Sequence, residues 1–273
     1  MLQNRQPQDP GHVAVGDEVG RHVFAPPPDG NQTDVISGSG YMAPSAENPL
    51  PVYEALGLYD VASSTAVEAF CTQLDTSPQQ RETIKWYSRA LHEVALDIGR
   101  KVAESMGIVD SHDMVNGWPC QFRINKYNFT PQTLASSGLF IHTDSGFLTI
   151  LQEDDTVGGL QVMDKSGAFL PVHPFPGTLL VNLGDVAAAW SNGRLRNVKH
   201  RVQCNEAATR VSIALFLLGP KEEVEAPAKF VDLEHPRLYT PFTYEDYRKL
   251  RFSTGLHAGE ALSLVRLTPT SHN

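Results

Sequence analysis

Two histidines and one aspartate stand in an order that suits a metal ion. His142 and Asp144 are separated by one residue, and His200 follows much further along the chain. Two imidazoles and one carboxylate can occupy one triangular face of an octahedral metal and leave three positions open for other ligands. Such a face is typical of non-haem Fe(II) sites that react with O2. The sequence therefore predicts that these three residues bind Fe(II) and carry the catalysis.

The segments around these residues read as extended chain, which makes a shared site feasible. Residues i and i+2 of a β-strand point to the same face, so His142 and Asp144 can reach one ion from a strand over 141–144. His200 lies in a second alternating run, 197–202, and would complete the site from a second strand. We therefore expect two strands to supply the three ligands.

Ten residues after the last of those histidines, Arg210 and Ser212 share a strand face by the same parity. A guanidinium fork and a hydroxyl on one face suit a single carboxylate group. The Arg-x-Ser spacing is not specific by itself, because Arg251 and Ser253 repeat it. A single histidine is not specific either, because most histidines are surface or core residues. That second copy lies in a charged stretch that reads as helical, with Pro241 in place of a histidine ten residues upstream. Only the ordered set of His-x-Asp, a distant histidine and Arg-x-Ser indicates this kind of site.

Short strands and one long helix are the elements that must position these residues. Ser77, Pro78 and Gln80 form a helix start with a capping box, and apolar residues then recur at helical spacing up to Gly107. From about residue 120 the chain changes to short alternating runs, over 147–151, 160–163, 168–172, 178–183, 198–202 and 210–218. A further helix is expected to begin within 241–251. This pattern predicts a mainly β fold with flanking helices, in which a double-stranded β-helix (jelly-roll) core is supported by the long helix.

Composition excludes several classes of partner. The net charge of −9 disfavours binding to nucleic acid or to an anionic membrane. No apolar run approaches the ~20 residues of a membrane helix, and the N-terminus lacks the apolar core of a signal peptide. Three scattered cysteines imply no disulfide framework. We expect a cytoplasmic protein whose reducing surroundings suit ferrous iron and whose partner is a small-molecule substrate, with no nucleic acid and no membrane.

Several motifs give the chain a resemblance to a known family. From about residue 31 to 264 it resembles the plant 2-oxoglutarate- and Fe(II)-dependent dioxygenases. The motifs that match the family pattern are His142-Thr143-Asp144 with Gly146, Gly158-Gly159-Leu160-Gln161-Val162, Asn182-Leu183-Gly184-Asp185, Ser191-Asn192-Gly193 and His200-Arg201. A finer similarity, to the dioxygenases for auxin oxidation, is carried by 48–50, 53–60, 118–129 and 241–251.

The resemblance implies a set of cofactors and the residues that hold them. Fe(II), O2 and 2-oxoglutarate as co-substrate are expected, with ascorbate as reductant. Arg210 and Ser212 would hold the far carboxylate of 2-oxoglutarate, and Tyr127 and Asn125 would lie near the same molecule. Strand parity agrees independently, since Asn125 and Tyr127 alternate along one predicted strand and so share a face.

The resemblance also assigns residues to the main substrate. Positions matching Arg123 and Phe216 would face the main substrate. By strand parity Arg123 shares a face with Asn125, and Phe216 shares a face with Arg210 unless a bulge intervenes. An inward arginine beside an aromatic ring suits a planar, apolar acid such as indole-3-acetic acid. The alternative for Arg123 is a structural salt bridge at the barrel rim. Tyr41 is expected in a loop near the mouth of the pocket.

The resemblance implies an enzyme that converts the auxin indole-3-acetic acid to 2-oxindole-3-acetic acid. Two alternatives stay open: a dioxygenase of the same type acting on another plant metabolite, such as a gibberellin or a phenolic acid, and a truncated, non-catalytic paralogue that binds small acids. The second arises because the family normally opens with a strand and helices that pack on the barrel, and matching residues are absent here. We expect residues 1–30 to form a disordered or atypical tail, 31–115 a helical support region, 116–225 the jelly-roll core, and 226–273 a C-terminal extension with a helix.

Overall fold

Two antiparallel sheets make up most of the computed structural model, which describes residues 39–42, 52–108 and 114–267. In chain order the strands are β1 (Gly40–Met42), β2 (Tyr53–Tyr59), β3 (Cys120–Asn128), β4 (Ser137–His142), β5 (Leu148–Gln152), β6 (Leu160–Met163), β7 (Phe169–Pro171), β8 (Leu180–Leu183), β9 (His200–Gln203), β10 (Thr209–Leu217), β11 (Glu223–Val224) and β12 (Phe242–Thr243). The larger sheet has the order β1-β2-β3-β10-β5-β8 and the smaller one β4-β9-β6-β7, while β11 and β12 form a separate pair. Two such sheets are the jelly-roll architecture, so the predicted fold class is confirmed.

The helices flank the sheets. In chain order they are α1 (Ser64–Gln73), α2 (Pro78–Ser105), α3 (Asp185–Trp190), α4 (Tyr244–Thr254) and α5 (Ala261–Leu264). The predicted capping box of α2 is confirmed: Gln80 N donates to Ser77 Oγ at 3.2 Å, and Ser77 N donates to Gln80 Oε1 at 2.9 Å. Past the end of this helix Gly107 has φ +80°, the left-handed conformation that ends a helix at low cost. Within the described residues, none of the helices has the length and apolar character needed to cross a bilayer.

Helix α2 lies against the outer face of the larger sheet, as predicted. Its 28 residues span ~42 Å, and its buried stripe, which includes Ile84 and Leu91, packs on β10 and β5. The approach is close, since a Cβ added at Gly99 would lie 3.2 Å from Leu217 Cδ2 of β10. One face of β10 is therefore covered by this helix, and the other face is left for the residues that were predicted to bind ligands.

All six predicted runs become strands, with ends that differ from the prediction by at most two residues. The predicted helical support region, 31–115, also contains β1 and β2, which add two strands to the larger sheet. Strand β2 is buried on both faces, with Tyr53 and Ala55 on one and Leu56 and Leu58 on the other. Its sequence therefore lacks the polar and apolar alternation that marks a half-buried strand. The prediction for residues 1–30 lies outside the described residues.

The predicted C-terminal helix is α4, and it begins three residues later than 241. The intervening residues form β12, which pairs with β11. Thr243 then caps the helix by accepting a hydrogen bond from Asp246 N at 3.1 Å. Gly255, with φ +68°, follows its last residue as a left-handed C-cap. Arg251 of this helix contacts Thr143, the residue between His142 and Asp144.

Candidate metal centre and its pocket

The three predicted metal ligands come together beside the smaller sheet. His142 ends β4 and His200 begins β9, and the sheet register pairs these two residues. The Nε2 atom of each histidine lies 3.7 Å from Oδ1 of Asp144. The three ligand atoms fall within 4.8 Å of one another, the one group of this kind in the part of the chain that the structure describes. Their nitrogen and oxygen donors form the open, three-ligand face that suits non-haem Fe(II).

Asp144 reaches this face from a loop, so the strand predicted over 141–144 is wrong at its end. Thr143 N donates to His257 O at 2.9 Å instead of to a neighbouring strand, and the chain turns away from the sheet. The carbonyl of Asp144 accepts a hydrogen bond from Asp185 N at 2.8 Å, so the start of α3 fixes the loop. The residues meet as predicted, but through tertiary contacts and not through strand parity.

A backbone carbonyl orients each histidine ring. Nδ1 of His142 lies 2.8 Å from Phe140 O, and Nδ1 of His200 lies 3.0 Å from Val198 O. Because a carbonyl only accepts, Nδ1 has to carry the hydrogen in both contacts, and Nε2 keeps its lone pair. That lone pair faces the carboxylate of Asp144. Both rings are thus held in the tautomer and direction that a metal ligand needs.

Two donors orient the carboxylate. Thr149 Oγ1 donates to Oδ2 of Asp144 at 2.6 Å, and Asn182 Nδ2 donates to the same atom at 2.8 Å, which leaves Oδ1 for a metal. Thr149 and Asn182 are paired across β5 and β8. Sequence reasoning placed Asn182 in a family motif but gave Thr149 no role. The available signal was its hydroxyl in a predicted strand five residues after Asp144.

The surroundings set the protonation states of these ligands. Burial, with repulsion from His200, lowers the pKa of His142 to about 3. Burial would raise the pKa of Asp144, but the neighbouring imidazoles of His200 and His142 and the hydrogen bonds from Asn182 and Thr149 hold that pKa below its ordinary value. At neutral pH the site therefore presents an uncharged His142 imidazole and an ionised Asp144, as metal binding requires.

A buried arginine of the C-terminal helix α4 binds the loop that carries Thr143 and Asp144. Arg251 of α4 donates to Thr143 O at 2.7 Å and to Thr143 Oγ1 at 3.1 Å, and it forms an ion pair with Asp185. The fully buried Asp185 also accepts hydrogen bonds from Tyr247 at 2.8 Å and from Asn197 at 2.6 Å. Sequence reasoning set Arg251 aside as part of a chance Arg-x-Ser copy. In the structure it holds the backbone between the first histidine and the aspartate.

The inner face of the larger sheet carries the other predicted site residues. Directly paired residues of an antiparallel ladder point to the same face. The pairs on the inner face of β3 and β10 are Tyr127–Arg210, Asn125–Ser212, Arg123–Ala214 and Gln121–Phe216. The register has no shift along either strand, so no bulge turns Phe216 away. The prediction that Arg123, Asn125 and Tyr127 share one face of their strand, and that Arg210, Ser212 and Phe216 share one face of theirs, is confirmed.

Arg210 lies at one end of this face and already contacts a carboxylate. Its Nη2 donates to Glu153 Oε1 at 2.5 Å, its Nη1 lies 3.4 Å from Ser212 Oγ, and its guanidinium carbon lies 5.0 Å from the Tyr127 ring centre. The two side chains of the ion pair are 1% and 7% exposed. Across the described chain, Arg210 Nε and Glu153 Oε2 are buried atoms without a hydrogen-bond partner. Sequence reasoning missed Glu153, which follows β5 directly.

Two further polar residues line the middle of the face. Asn125 accepts a hydrogen bond from Tyr53 Oη at 2.8 Å and lies 3.5 Å from Ser212 Oγ. Arg123 is partly buried, its Nε is a buried atom without a partner, and it forms no ion pair with any described residue. The structural salt bridge that was the alternative for Arg123 is therefore not observed within the described ranges.

Tyr41 lies on the other side of the larger sheet. The register pairs Tyr41 with Leu56, which pairs in turn with Ile124, so the three residues point to the helix-covered face. The Tyr41 hydroxyl donates to Glu54 Oε2 at 2.9 Å. The expectation that Tyr41 lies near the mouth of the pocket is wrong, because it belongs to strand β1 and its parity there is opposite to that of Arg123.

Comparisons with known proteins agree with this geometry. The 2OG-Fe(II) oxygenase superfamily matches residues 118–219. The chain is 53% identical over 258 residues to the 2-oxoglutarate-dependent dioxygenase DAO of Oryza sativa subsp. indica, which covers 93% of this chain and 85% of that protein. The crystal structure of the dioxygenase for auxin oxidation (DAO) in rice matches with a TM-score of 0.85 and 51% identity, over 95% of this chain and 87% of that one. The 2-oxoglutarate binary complex of AtDAO1, dioxygenase for auxin oxidation 1 from Arabidopsis thaliana, matches with a TM-score of 0.73 and 51% identity, over 82% and 86%.

Proposed function

We propose that this chain, which belongs to the 2OG-Fe(II) oxygenase superfamily, oxidises the auxin indole-3-acetic acid to 2-oxindole-3-acetic acid. Its similarity to the rice and Arabidopsis dioxygenases for auxin oxidation supports this substrate. The observation in the pocket that carries the proposal is the guanidinium of Arg123, which faces inward without a partner among the described residues. Its Nε is a buried N–H group without a hydrogen-bond partner, which is costly, so this position favours a substrate that brings an acceptor such as a carboxylate.

The residues that would hold iron are His142, Asp144 and His200, together called the facial triad below. Their donor set fits Fe(II), and the triad leaves three positions for other ligands. Bound iron supplies the redox chemistry by which O2 converts 2-oxoglutarate to succinate and CO2 and adds one oxygen atom to the substrate. Arg210 and Ser212 would bind the far carboxylate of 2-oxoglutarate, with Asn125 and Tyr127 beside it. These contacts would keep the co-substrate directed at the metal.

The main substrate would lie along the inner face of β3 and β10. Arg123 would pair with the carboxylate of indole-3-acetic acid, and Phe216 would pack on the indole ring. Each contact would fix one end of a planar molecule, and the two together would hold the ring in a defined orientation. The net reaction is balanced: indole-3-acetic acid, 2-oxoglutarate and O2 give 2-oxindole-3-acetic acid, succinate and CO2.

Ascorbate and a reducing compartment complete the proposal. Ascorbate would return iron to the ferrous state after turnovers that do not oxidise substrate. Cys71, Cys120 and Cys204 are all unpaired and buried, which fits the reducing cytoplasm that we propose as the location. Separation of cell extracts into soluble and organelle fractions, with an antibody against the chain, would test it; recovery only inside a sealed organelle contradicts it.

The substrate assignment is tested by replacing Arg123 with leucine. The parent and the variant are incubated with Fe(II), 2-oxoglutarate, ascorbate and O2, and products are identified by mass spectrometry. Loss of a charge-assisted hydrogen bond of ~1.5–3 kcal/mol should lower kcat/KM for indole-3-acetic acid roughly 10- to 150-fold. Neutral tryptophol has no carboxylate to pair and should lose much less. Decarboxylation of 2-oxoglutarate without substrate should survive, because its site is separate.

Arg89, an arginine on α2 whose side chain is 81% exposed, gives the matched control Arg89→Leu, which should behave as the parent. Equal losses for the acid and for tryptophol would mean that Arg123 does not bind the carboxylate. The same assay with gibberellins and phenolic acids separates the alternatives. Faster turnover of one of those acids would replace auxin as the substrate, and absence of turnover with every acid would favour a protein that only binds.

A further inference from the structure

Glu153 places a carboxylate at the point where 2-oxoglutarate has to bring one of its own. We infer that Glu153 is a proton-dependent gate on co-substrate binding: it pairs with Arg210 in the free protein and takes up one proton when the far carboxylate of 2-oxoglutarate arrives. This inference rests on the proposed function, since that function assigns Arg210 to the co-substrate. It adds a specificity-determining residue to the pocket and makes the affinity for 2-oxoglutarate depend on pH.

The guanidinium of Arg210 has a donor left for a second carboxylate. Arg210 offers five N–H donors, of which Nη2 meets Glu153 and Nη1 meets Ser212, while Nε has no partner among the described residues. Glu153 likewise uses only Oε1, and its buried Oε2 has no partner. An incoming carboxylate can satisfy Nε, and a protonated Oε2 can donate a hydrogen bond to that carboxylate. Arg210 Nε and Glu153 Oε2 would then both have hydrogen-bond partners, which they lack in the ion pair of the free protein.

Charge explains why a proton is needed. In the free protein the positive charge of Arg210 and the negative charge of Glu153 cancel, and the side chains are almost fully buried. A second ionised carboxylate would leave one uncompensated negative charge in a site largely shielded from water. When two carboxylates share a site, the pKa of one of them rises strongly. Protonation of Glu153 from solvent restores neutrality, because 2-oxoglutarate itself is fully ionised near neutral pH.

The groups that face Glu153 from the surrounding elements agree with this role. They are Arg210 on β10, Tyr127 on β3, Asp154 beside it in the chain, and His200 on β9. Burial, and to a smaller extent repulsion from Asp154, raises the pKa of Glu153 above its ordinary value although Arg210 opposes this. Burial raises the pKa of Tyr127, so its hydroxyl stays protonated.

Asp154 does not compete for the proton. Its Oδ1 accepts hydrogen bonds from Val157 N at 2.9 Å and Thr156 N at 3.0 Å, and its Oδ2 accepts one from Val211 N at 3.1 Å. Burial opposes ionisation, but these backbone bonds hold the pKa of Asp154 below its ordinary value. Asp154 therefore stays ionised and fixes the start of β10. Of the two neighbouring acids, only Glu153 has its pKa raised.

Calorimetric titration of 2-oxoglutarate into the Fe(II)-loaded protein, without O2, tests the inference. Titrations at pH 7 in two buffers of different ionisation enthalpy give the number of protons taken up. We expect close to one proton, and a Kd that rises about tenfold per pH unit between pH 6 and 8 once the pH exceeds the pKa of Glu153. Glu153→Gln keeps the shape of the side chain but cannot ionise, so its Kd should be independent of pH and lower than the parent value at pH 8.

Two controls separate Glu153 from other titrating groups. 2-Oxovalerate has the same 2-oxo acid group but no far carboxylate, so its binding should take up no proton through Glu153; equal uptake by both ligands would locate the proton at the metal end. Glu206→Gln makes the same charge change at an exposed position and should keep the parent's pH slope. Proton uptake near zero in the parent overturns the inference, and so does a Glu153→Gln variant whose Kd depends on pH as the parent's does. In either case, binding of 2-oxoglutarate would still support the proposed function. A parent protein that binds no 2-oxoglutarate overturns both.

Discussion

Replacing Thr149 with valine tests how the carboxylate of the facial triad is held. Thr149 is 4% exposed, and its hydroxyl donates to Oδ2 of Asp144 at 2.6 Å. Valine has nearly the same shape, so the change removes the donor with little disturbance of packing. Asn182 still donates to the same oxygen, so the carboxylate keeps one of its two side-chain donors. We expect weaker metal binding in a folded protein.

The size of the effect follows from that one bond. A hydrogen bond to a charged group contributes ~1.5–3 kcal/mol, which corresponds to roughly 10- to 150-fold in affinity. The bond is already present without metal, so part of its loss lowers the free energy of unfolding and the rest lowers the metal affinity. We therefore expect metal affinity to fall by about tenfold, the lower end of the range known for residues that orient metal ligands.

Titration with Fe(II) under argon, followed by calorimetry, measures the affinity, and a thermal melt of the metal-free protein measures the stability. Thr72→Val is the matched control, because the Thr72 hydroxyl donates to Glu68 O on an exposed part of α1. The control should keep the parent's metal affinity. A Thr149→Val protein whose metal affinity stays within twofold of the parent while its melting temperature falls would refute the reasoning, since the hydroxyl would then support only the fold.

Three further predictions concern the residues around the same pocket. Alanine at any one member of the facial triad should abolish product formation in the mass-spectrometric assay, whereas His173→Ala, outside the triad, should keep it; full activity with one ligand missing would contradict the metal assignment. Arg210→Lys should raise the KM for 2-oxoglutarate roughly 10- to 150-fold with little change in the KM for indole-3-acetic acid, because lysine cannot reproduce the paired contacts of a guanidinium; equal changes in both would mean that Arg210 supports the fold. Arg251→Leu breaks a buried ion pair, which costs ~3–5 kcal/mol, and should lower the melting temperature by roughly 6–20 °C. The control Lys249→Leu breaks a half-exposed ion pair on the same helix and should lower the melting temperature by only a few degrees. Equal decreases in the two variants would show that the burial of Arg251 contributes nothing.

Features whose causes are local could be predicted from the sequence. The capping box of α2 depends on four consecutive positions, and it has the predicted partners. The shared face of Arg123, Asn125 and Tyr127 depends only on the period of a strand, and the register with β10 keeps it. The resemblance implied that Asn125 and Tyr127 lie near the same ligand as Arg210 and Ser212, which local rules cannot predict. In the structure the pairing of β3 with β10, across more than 80 residues, brings these side chains together.

Features that depend on non-local contacts could not be read from the sequence. The loop at Asp144 exists because Thr143 bonds to His257 and Asp144 bonds to Asp185, and both partners are far away in the chain. Glu153 carries no sequence signal for its ion pair, since the first acidic residue after a strand is ordinarily solvated. Its role depends on the ladder between β5 and β10, which brings it beside Arg210.

The two copies of Arg-x-Ser show how secondary structure decides what a spacing means. On strand β10, residues two apart share a face, so Arg210 and Ser212 both turn inward and lie within 3.4 Å of each other. On helix α4, residues two apart differ by about 200° around the axis, so Arg251 is buried while Ser253 is exposed. The helical copy therefore cannot hold one ligand with both side chains. Its arginine instead uses the buried side of the helix to secure the loop that carries Asp144.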